Sequence, residues 1–160
     1  MKGVEKLDFE AVARNENRLF RVAVAILKTR AEAEDVVQDV FVKLFEKQPQ
    51  FDSNEHETAW LMRVTVNMCR SRLRSFWWRR VEPLLEDYPA KSDEQQEVIE
   101  AVMALPARYR VVVHLFYYEG YSTGEIAEIT ARKEGTVRQQ LTRARRMLGE
   151  ILRGDGYEPI

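Results

Sequence analysis

The chain has 160 residues, 25 basic against 26 acidic, and a formal net charge of -1, so its overall field favours neither nucleic acid nor an anionic membrane. With 45% hydrophobic and 32% charged residues it holds too much apolar material to stay disordered, while one cysteine, Cys69, and two histidines leave no disulfide framework or Cys-rich zinc site. The amino terminus lacks an apolar signal-peptide core, and the run from Val111 to Tyr118 is too short to span a bilayer, which predicts a cytoplasmic protein without a membrane anchor.

Helical periodicity runs through both halves, and no alternating run bounded by glycines argues for strands, so the predicted class is all-α. Asp8 is suited to cap a first helix reaching about Lys28. Thr29-x-x-Glu32 has the form of a capping box that opens a second helix ending before Pro49. Asn54, followed three residues later by Glu57, marks the start of a third, which runs to about Trp78. Next comes a stretch with two prolines, Pro83 and Pro89; residues 81–100 hold seven acidic and one basic side chain, and the region around the prolines lacks sustained periodicity, as a linker would. Ser92-x-x-Gln95 then opens a helix that ends at Leu105-Pro106. Another spans Ala107 to Glu119, with Gly120 at the position that tolerates a left-handed backbone. Ser122-x-x-Glu125 is a further capping box and starts a short helix to Thr130. A break at Ala131 to Gly135 precedes a last helix from Thr136 to about Ile151.

A short capped helix, a tight polar turn and a longer helix make a helix-turn-helix pattern, whose second helix enters the major groove of DNA. In that last helix Val137, Leu141, Ala144 and Leu148 form one stripe, while Arg138, Gln139, Thr142, Arg143, Arg145 and Arg146 occupy most of the other side. Arginine and glutamine carry the forked donors that read guanine and adenine edges, and from Arg132 to Leu148 the only acid is Glu134. The bland alternative is a solvated amphipathic helix.

The third helix carries Arg63, Asn67, Arg70 and Arg74 on one face, with Trp60 and Trp78 at its edge and Leu61, Val64 and Met68 as an apolar stripe. Arginines interleaved with aromatics suit an unpaired strand, although Trp60 reads more strongly as a core residue than as a stacking platform, and the alternative for Phe76-Trp77-Trp78 is to close the core at the helix end. The second helix has the opposite sign. Its Ala33, Val37, Val40, Phe41 and Leu44 point one way, and Glu34, Asp35, Gln38 and Asp39 point the other, forming either a solvated face or a docking surface for a basic protein partner. The sequence offers no HExxH zinc site, P-loop, dinucleotide fingerprint or nucleophile elbow, so neither an enzyme nor a metal or cofactor site is predicted.

The chain as a whole resembles the sigma factors of bacterial RNA polymerase, in the compact extracytoplasmic-function (ECF) group of the sigma-70 family. The matching segments are Ala33-Glu-Asp-Val-Val-Gln-Asp-Val-Phe-Val-Lys-Leu-Phe45, Thr58-Ala-Trp-Leu-Met-Arg-Val-Thr-Val-Asn67, Leu105-Pro-Ala-Arg-Tyr-Arg110, and Tyr118-Glu-Gly-Tyr-Ser-Thr-Gly-Glu-Ile-Ala127 continuing into Gly135-Thr-Val-Arg-Gln-Gln-Leu-Thr-Arg-Ala-Arg-Arg-Met-Leu148. The resemblance implies two small helical domains: a sigma2-like bundle at residues 1–80 and a sigma4-like helix-turn-helix domain at 93–160, joined by a flexible acidic linker at 81–92. It implies that Glu34, Asp35, Gln38 and Asp39 dock on the polymerase β′ clamp. The loop from Phe51 to Thr58, with Arg63, Asn67, Arg70 and Arg74, would hold the opened minus-10 element. Arg138, Gln139, Gln140, Thr142, Arg143 and Arg146 would read the minus-35 element.

The implied partners are core RNA polymerase through its β′ and β subunits, promoter DNA and an anti-sigma factor. No small-molecule substrate, cofactor or catalytic residue is implied. The chain departs from the family in having Thr130-Ala-Arg-Lys-Glu134 where a glycine-containing turn is common. The competing expectation is a dimeric helix-turn-helix regulator that binds duplex DNA without polymerase.

Overall fold

The computed structural model describes residues 2–76 and 93–154, with side chains for 9–75 and 93–154. All regular structure among the described residues is helical. The chain divides into two compact units between residues 83 and 84. The expected linker, the Ser92 cap, Trp77 and Trp78 lie outside the described residues, as does the side chain of Phe76.

The first unit is a bundle of α1 (Lys2–Leu27), α2 (Arg30–Lys47) and α3 (Asn54–Phe76), each packed on the other two. Leu19, Val22, Ala23 and Ile26 of α1 recur at helical spacing and are fully buried, facing Val36, Val40 and Leu44 of α2 and Leu61, Met62 and Val66 of α3 within one core. Helix α1 begins six residues before the expected Asp8 cap. No proline interrupts Lys2 to Leu7, and an aspartate inside a helix costs less than about 1 kcal/mol, so the helix runs through it.

The α1–α2 corner shows how a cap sequence can serve another end. Lys28 takes a left-handed backbone, φ 66°, and its N–H bonds Val24 O at 2.8 Å. Thr29 is the N-cap residue of α2, but its side chain makes no capping bond, and its buried Oγ1 meets no donor or acceptor among the described residues. The expected Thr29/Glu32 box is therefore absent, because Glu32 bonds Arg72 of α3 instead.

The cap of α3 is Ser53, whose Oγ accepts from His56 N at 3.0 Å; Glu57, expected in the first-turn signal with Asn54, turns inward. The buried stripe of α3 is Leu61, Met62, Thr65, Val66 and Cys69, rotated from the expected Leu61, Val64 and Met68. Val64 and Met68 are only half-buried. A helix wedged between two others needs a broad buried face, and Thr65 joins it by donating to Leu61 O at 2.7 Å. Burial pushes the Cys69 thiol up to about 12, against a smaller opposing pull from Arg72, so it is a neutral packing group at physiological pH.

The second unit comprises α4 (Asp93–Ala104), α5 (Ala107–Val113) with a π-helical continuation His114–Tyr118, α6 (Thr123–Thr130) and α7 (Glu134–Arg153). Val102, Leu105, Tyr109, Val113 and Ala144 form a core cluster against which Met147 and Leu148 pack. Arg110 is buried and donates from Nη1 to Leu105 O across the α4–α5 corner; burial pushes its pKa down to about 10, which still leaves it charged at neutral pH.

The single helix expected from Ala107 to Glu119 widens at its end, where Glu119 N bonds His114 O five residues back at 3.1 Å. The same widening brings the buried His114 Nε2 within 3.2 Å of Glu119 Oε1. Gly120 follows with φ +75°, as expected.

The Ser122/Glu125 box forms completely, with Glu125 N to Ser122 Oγ at 3.1 Å and Ser122 N to Glu125 Oε1 at 2.9 Å. Ala131 closes α6 in the left-handed region, φ 54°, a backbone conformation that favours glycine, while Arg132 N bonds Ala127 O at 2.9 Å. Helix α7 begins at Glu134, two residues earlier than expected, because Glu134 accepts from Thr123 Oγ1 of α6 at 2.8 Å and so draws the helix start toward α6.

The two cap sequences should respond oppositely to mutation. Ser122→Ala should destabilise the second unit by about 1 kcal/mol, whereas Thr29→Val should be neutral or stabilising, since it replaces a buried unsatisfied hydroxyl by a methyl of similar shape. Urea unfolding followed by circular dichroism measures both.

Candidate protein- and nucleic-acid-binding interfaces

On α2 the side chains of Glu34, Asp35, Gln38 and Asp39 are all exposed, but the carboxylates are not free-standing. Glu34 pairs with Arg30 at 3.1 Å. Arg72 of α3 reaches across to donate from Nη1 to Asp35 Oδ2 at 2.7 Å and Glu32 Oε2 at 2.9 Å, and from Nη2 to Asp39 Oδ2 at 2.7 Å. Partial burial opposes the guanidinium charge, and the bonds to Asp35 and Glu32 with the field of Asp39 outweigh it, holding the Arg72 pKa above its ordinary value.

The opposite side of α3 carries Arg63, Asn67 and Arg74 in solvent, with Arg70 half-buried beside them. Next to α3's amino-terminal end is a cleft of about 470 Å³ whose lining includes Arg14, Gln48, Phe51, Asn54 and Glu57. Its floor is a buried polar network that sequence reasoning did not find. Glu57, 3% exposed, accepts from Arg14 Nη2 at 2.8 Å and from Asn15 Nδ2 at 3.1 Å. Asn15, 1% exposed, also donates to Ala11 O at 2.8 Å and accepts from Thr58 Oγ1 at 2.6 Å. Every member is paired, so the network fixes the 51–58 loop against α1 rather than weakening the core. Trp60 is half-buried and packs against Phe51, ring centroids 5.9 Å apart, bracing the same loop.

On α7 the side chains of Arg138, Gln139, Thr142, Arg143 and Arg146 are exposed. Gln140 is not. It is 7% exposed, and its Oε1 meets no donor among the described residues. At about 100° per residue it falls on the flank of the Val137–Leu141–Ala144 stripe, so packing sets it apart from the other residues expected to read DNA.

The arginines of this face are individually steered. Arg138 pairs with Glu134 at 3.1 Å. Tyr109 has its ring in the core while its hydroxyl lies 3.5 Å from Arg108 Nη2, and the cations of Arg108 first and Arg143 second hold its pKa below the usual tyrosine value. Arg145 donates from Nε to Tyr117 Oη at 2.6 Å and lies 5.8 Å from the Phe116 ring centroid, on the flank of the helix rather than with the outward arginines. No group of three or more His, Cys, Asp and Glu residues able to hold a metal occurs among the described residues.

Known proteins match both units in order. The family model for Sigma-70 region 2 covers residues 11–79, and that for Sigma-70 region 4 covers residues 95–148. The chain is 31% identical over 144 residues to the ECF RNA polymerase sigma factor SigM of Mycobacterium tuberculosis, covering 87% of this chain and 74% of that protein. It is 26% identical to the ECF sigma factor SigW of Bacillus subtilis, over 96% of this chain and 95% of that one. Among solved structures, the sigma factor RpoE of Bartonella quintana, bound to the anti-sigma factor NepR, superposes with TM-score 0.72 at 25% identity, covering 97% of this chain and 99% of that chain. A charged α2 face, a braced loop at the start of α3 and a helix-turn-helix with an arginine-rich second helix thus occur in a chain that belongs to the ECF group of the sigma-70 family of RNA polymerase sigma factors.

Proposed function

We propose that this alternative sigma factor, which binds core RNA polymerase and directs promoter-specific initiation, divides its work among three surfaces. The α2 face with Glu34, Asp35, Gln38 and Asp39 docks on a basic surface of the polymerase. The 51–58 loop and the α3 face with Arg63, Asn67, Arg70 and Arg74 capture the opened strand. The α7 face with Arg138, Gln139, Thr142, Arg143 and Arg146 reads duplex DNA upstream.

The observation that carries this assignment is the cationic face of α3: Asn67 lies in solvent with amide donors and an acceptor for a base edge, and Arg63 and Arg74 on the same face suit phosphates. Residues 1–80 and 93–160 act as separate binding modules linked by 81–92. The chemistry belongs to the polymerase, so the chain itself supplies binding energy and no catalytic residue. Its place of action is the cytoplasm, and no described helix is long and apolar enough to cross a membrane. Regulation by an anti-sigma factor is supported by the likeness to an RpoE solved in such a complex.

Three experiments test the three surfaces. Asp35→Lys with Asp39→Lys, folded by circular dichroism, should lose core polymerase by several kcal/mol in a competition assay, because like charges then face a basic partner. Arg138→Ala and Arg143→Ala should each weaken upstream-element binding by about 1 to 3 kcal/mol if they contact bases, or lower the salt slope by about one if they contact phosphates. Gln140→Leu, on the packed side, should change neither.

The third surface is tested by melting. Removing a base from the stack costs a few kcal/mol that bound-state contacts must offset. Asn67→Ala, with core polymerase present, should therefore leave closed complexes intact but reduce permanganate-detected opening and run-off transcript, and a pre-melted template should restore part of the loss. Unchanged opening would remove Asn67 from the strand-binding face.

A further inference from the structure

The docking face of α2 contains a residue that belongs to another helix and carries the wrong charge for a surface meant to attract a basic partner. Arg72 lies roughly opposite Arg63, Asn67, Arg70 and Arg74 on α3, at about 100° per residue, so it has no part in the strand-binding face. Its guanidinium is spent on Asp35 and Asp39 at 2.7 Å each and on Glu32 at 2.9 Å.

Asp35 and Asp39 stand four residues apart on one helix face, where like charges repel and their side chains would swing apart if left alone. A planar fork that binds one of them through each terminal nitrogen holds both carboxylates in a single arrangement. It does so without covering them. The side chains remain 59% and 51% exposed, and only Oδ2 of each accepts from Arg72. Three carboxylates against one guanidinium leave the cluster at net -2, still attractive to lysine and arginine side chains.

We propose that Arg72 is a positioning residue for polymerase docking, holding Asp35 and Asp39 as a rigid pair of acceptors for cationic side chains of the partner. The proposal rests on the α2 docking face assigned above. It reverses the expectation from charge alone: removing a cation should strengthen binding to a basic partner, whereas loss of a positioning group should weaken it by leaving two side chains to be ordered on docking.

The test measures affinity of the full-length protein for core polymerase by fluorescence competition, with circular dichroism confirming the fold. Arg72→Met should weaken binding by about fivefold, the scale set by ordering side chains at an interface. In a background carrying Asp35→Asn and Asp39→Asn, Arg72→Met should have no further effect, whereas a merely structural role would lower affinity equally in both backgrounds. Arg72→Lys keeps the charge without the fork, and should bind between the parent and Arg72→Met.

Equal or tighter binding by Arg72→Met, an equal loss in both backgrounds, or parental affinity for Arg72→Lys would each overturn the proposal. Should Arg72→Met fail to fold, the Arg72→Lys comparison decides alone. If the Asn double variant itself binds core polymerase like the parent, the α2 docking face is wrong and Arg72 positions nothing. A normal loss in that variant, together with parental affinity for Arg72→Met in the otherwise unaltered protein, leaves the face standing and removes only the proposal.

Discussion

Each unit of this protein is too small to bury more than one side of each helix, and that constraint governs where every charge ends up. Domains of this size cover only part of the surface their unfolded chains expose, so the apolar side chains must be gathered on one stripe per helix. Leu19, Val22 and Ile26 on α1, Val36, Val40 and Leu44 on α2 and Val137, Leu141 and Ala144 on α7 are such stripes. The remaining faces are left to charged residues, and in this chain those faces differ in sign from helix to helix. Charged faces of opposite sign therefore coexist in a molecule of net charge -1.

The buried polar groups are departures from that rule, and each is paired where it does something structural. Asn15 and Glu57 are sealed between α1 and the start of α3, so the loop before α3 is also tied by side chains to a distant helix. His114 and Glu119 meet across a widened turn before the helix-turn-helix, and Arg110 closes the α4–α5 corner. A buried charge without a partner would be costly; the partners of Glu57 lie 43 and 42 residues away in the chain, whereas His114 and Arg110 each find theirs five residues away. Gln140 Oε1 and Thr29 Oγ1 are exceptions, buried without a partner among the described residues.

The interplay of local signal and tertiary demand is plainest in two segments with the same pattern. Ser122-Thr-Gly-Glu125 and Thr29-Arg-Ala-Glu32 both place a hydroxyl three residues before a glutamate. The first forms both reciprocal bonds, since Glu125 is exposed and its carboxylate meets the cap residue's N–H with no competing cation bonded to it among the described residues. In the second, the guanidinium of Arg72 lies within reach of Glu32, and a charge-assisted bond outweighs a bond to a neutral backbone N–H. The difference between them is a residue forty positions away.

By itself the sequence determined the helical class, the order of the helices, the glycine at position 120 and the arginine-rich face of α7, because these follow from periodicity and from steric rules that act within a few residues. It also carried family membership, whose motifs are linear. Tertiary structure alone decided which flank of each stripe is buried, so that Thr65 and Cys69 displaced Val64 and Met68 from the core of α3, and Gln140 turned inward. It also decided that Arg72 belongs to the acidic face and that Glu57 serves Asn15 and Arg14. The reason is physical: a helical wheel states which residues share a side, but only a neighbouring helix states what that side meets, and the partners of Arg72 and Glu57 lie on helices other than their own.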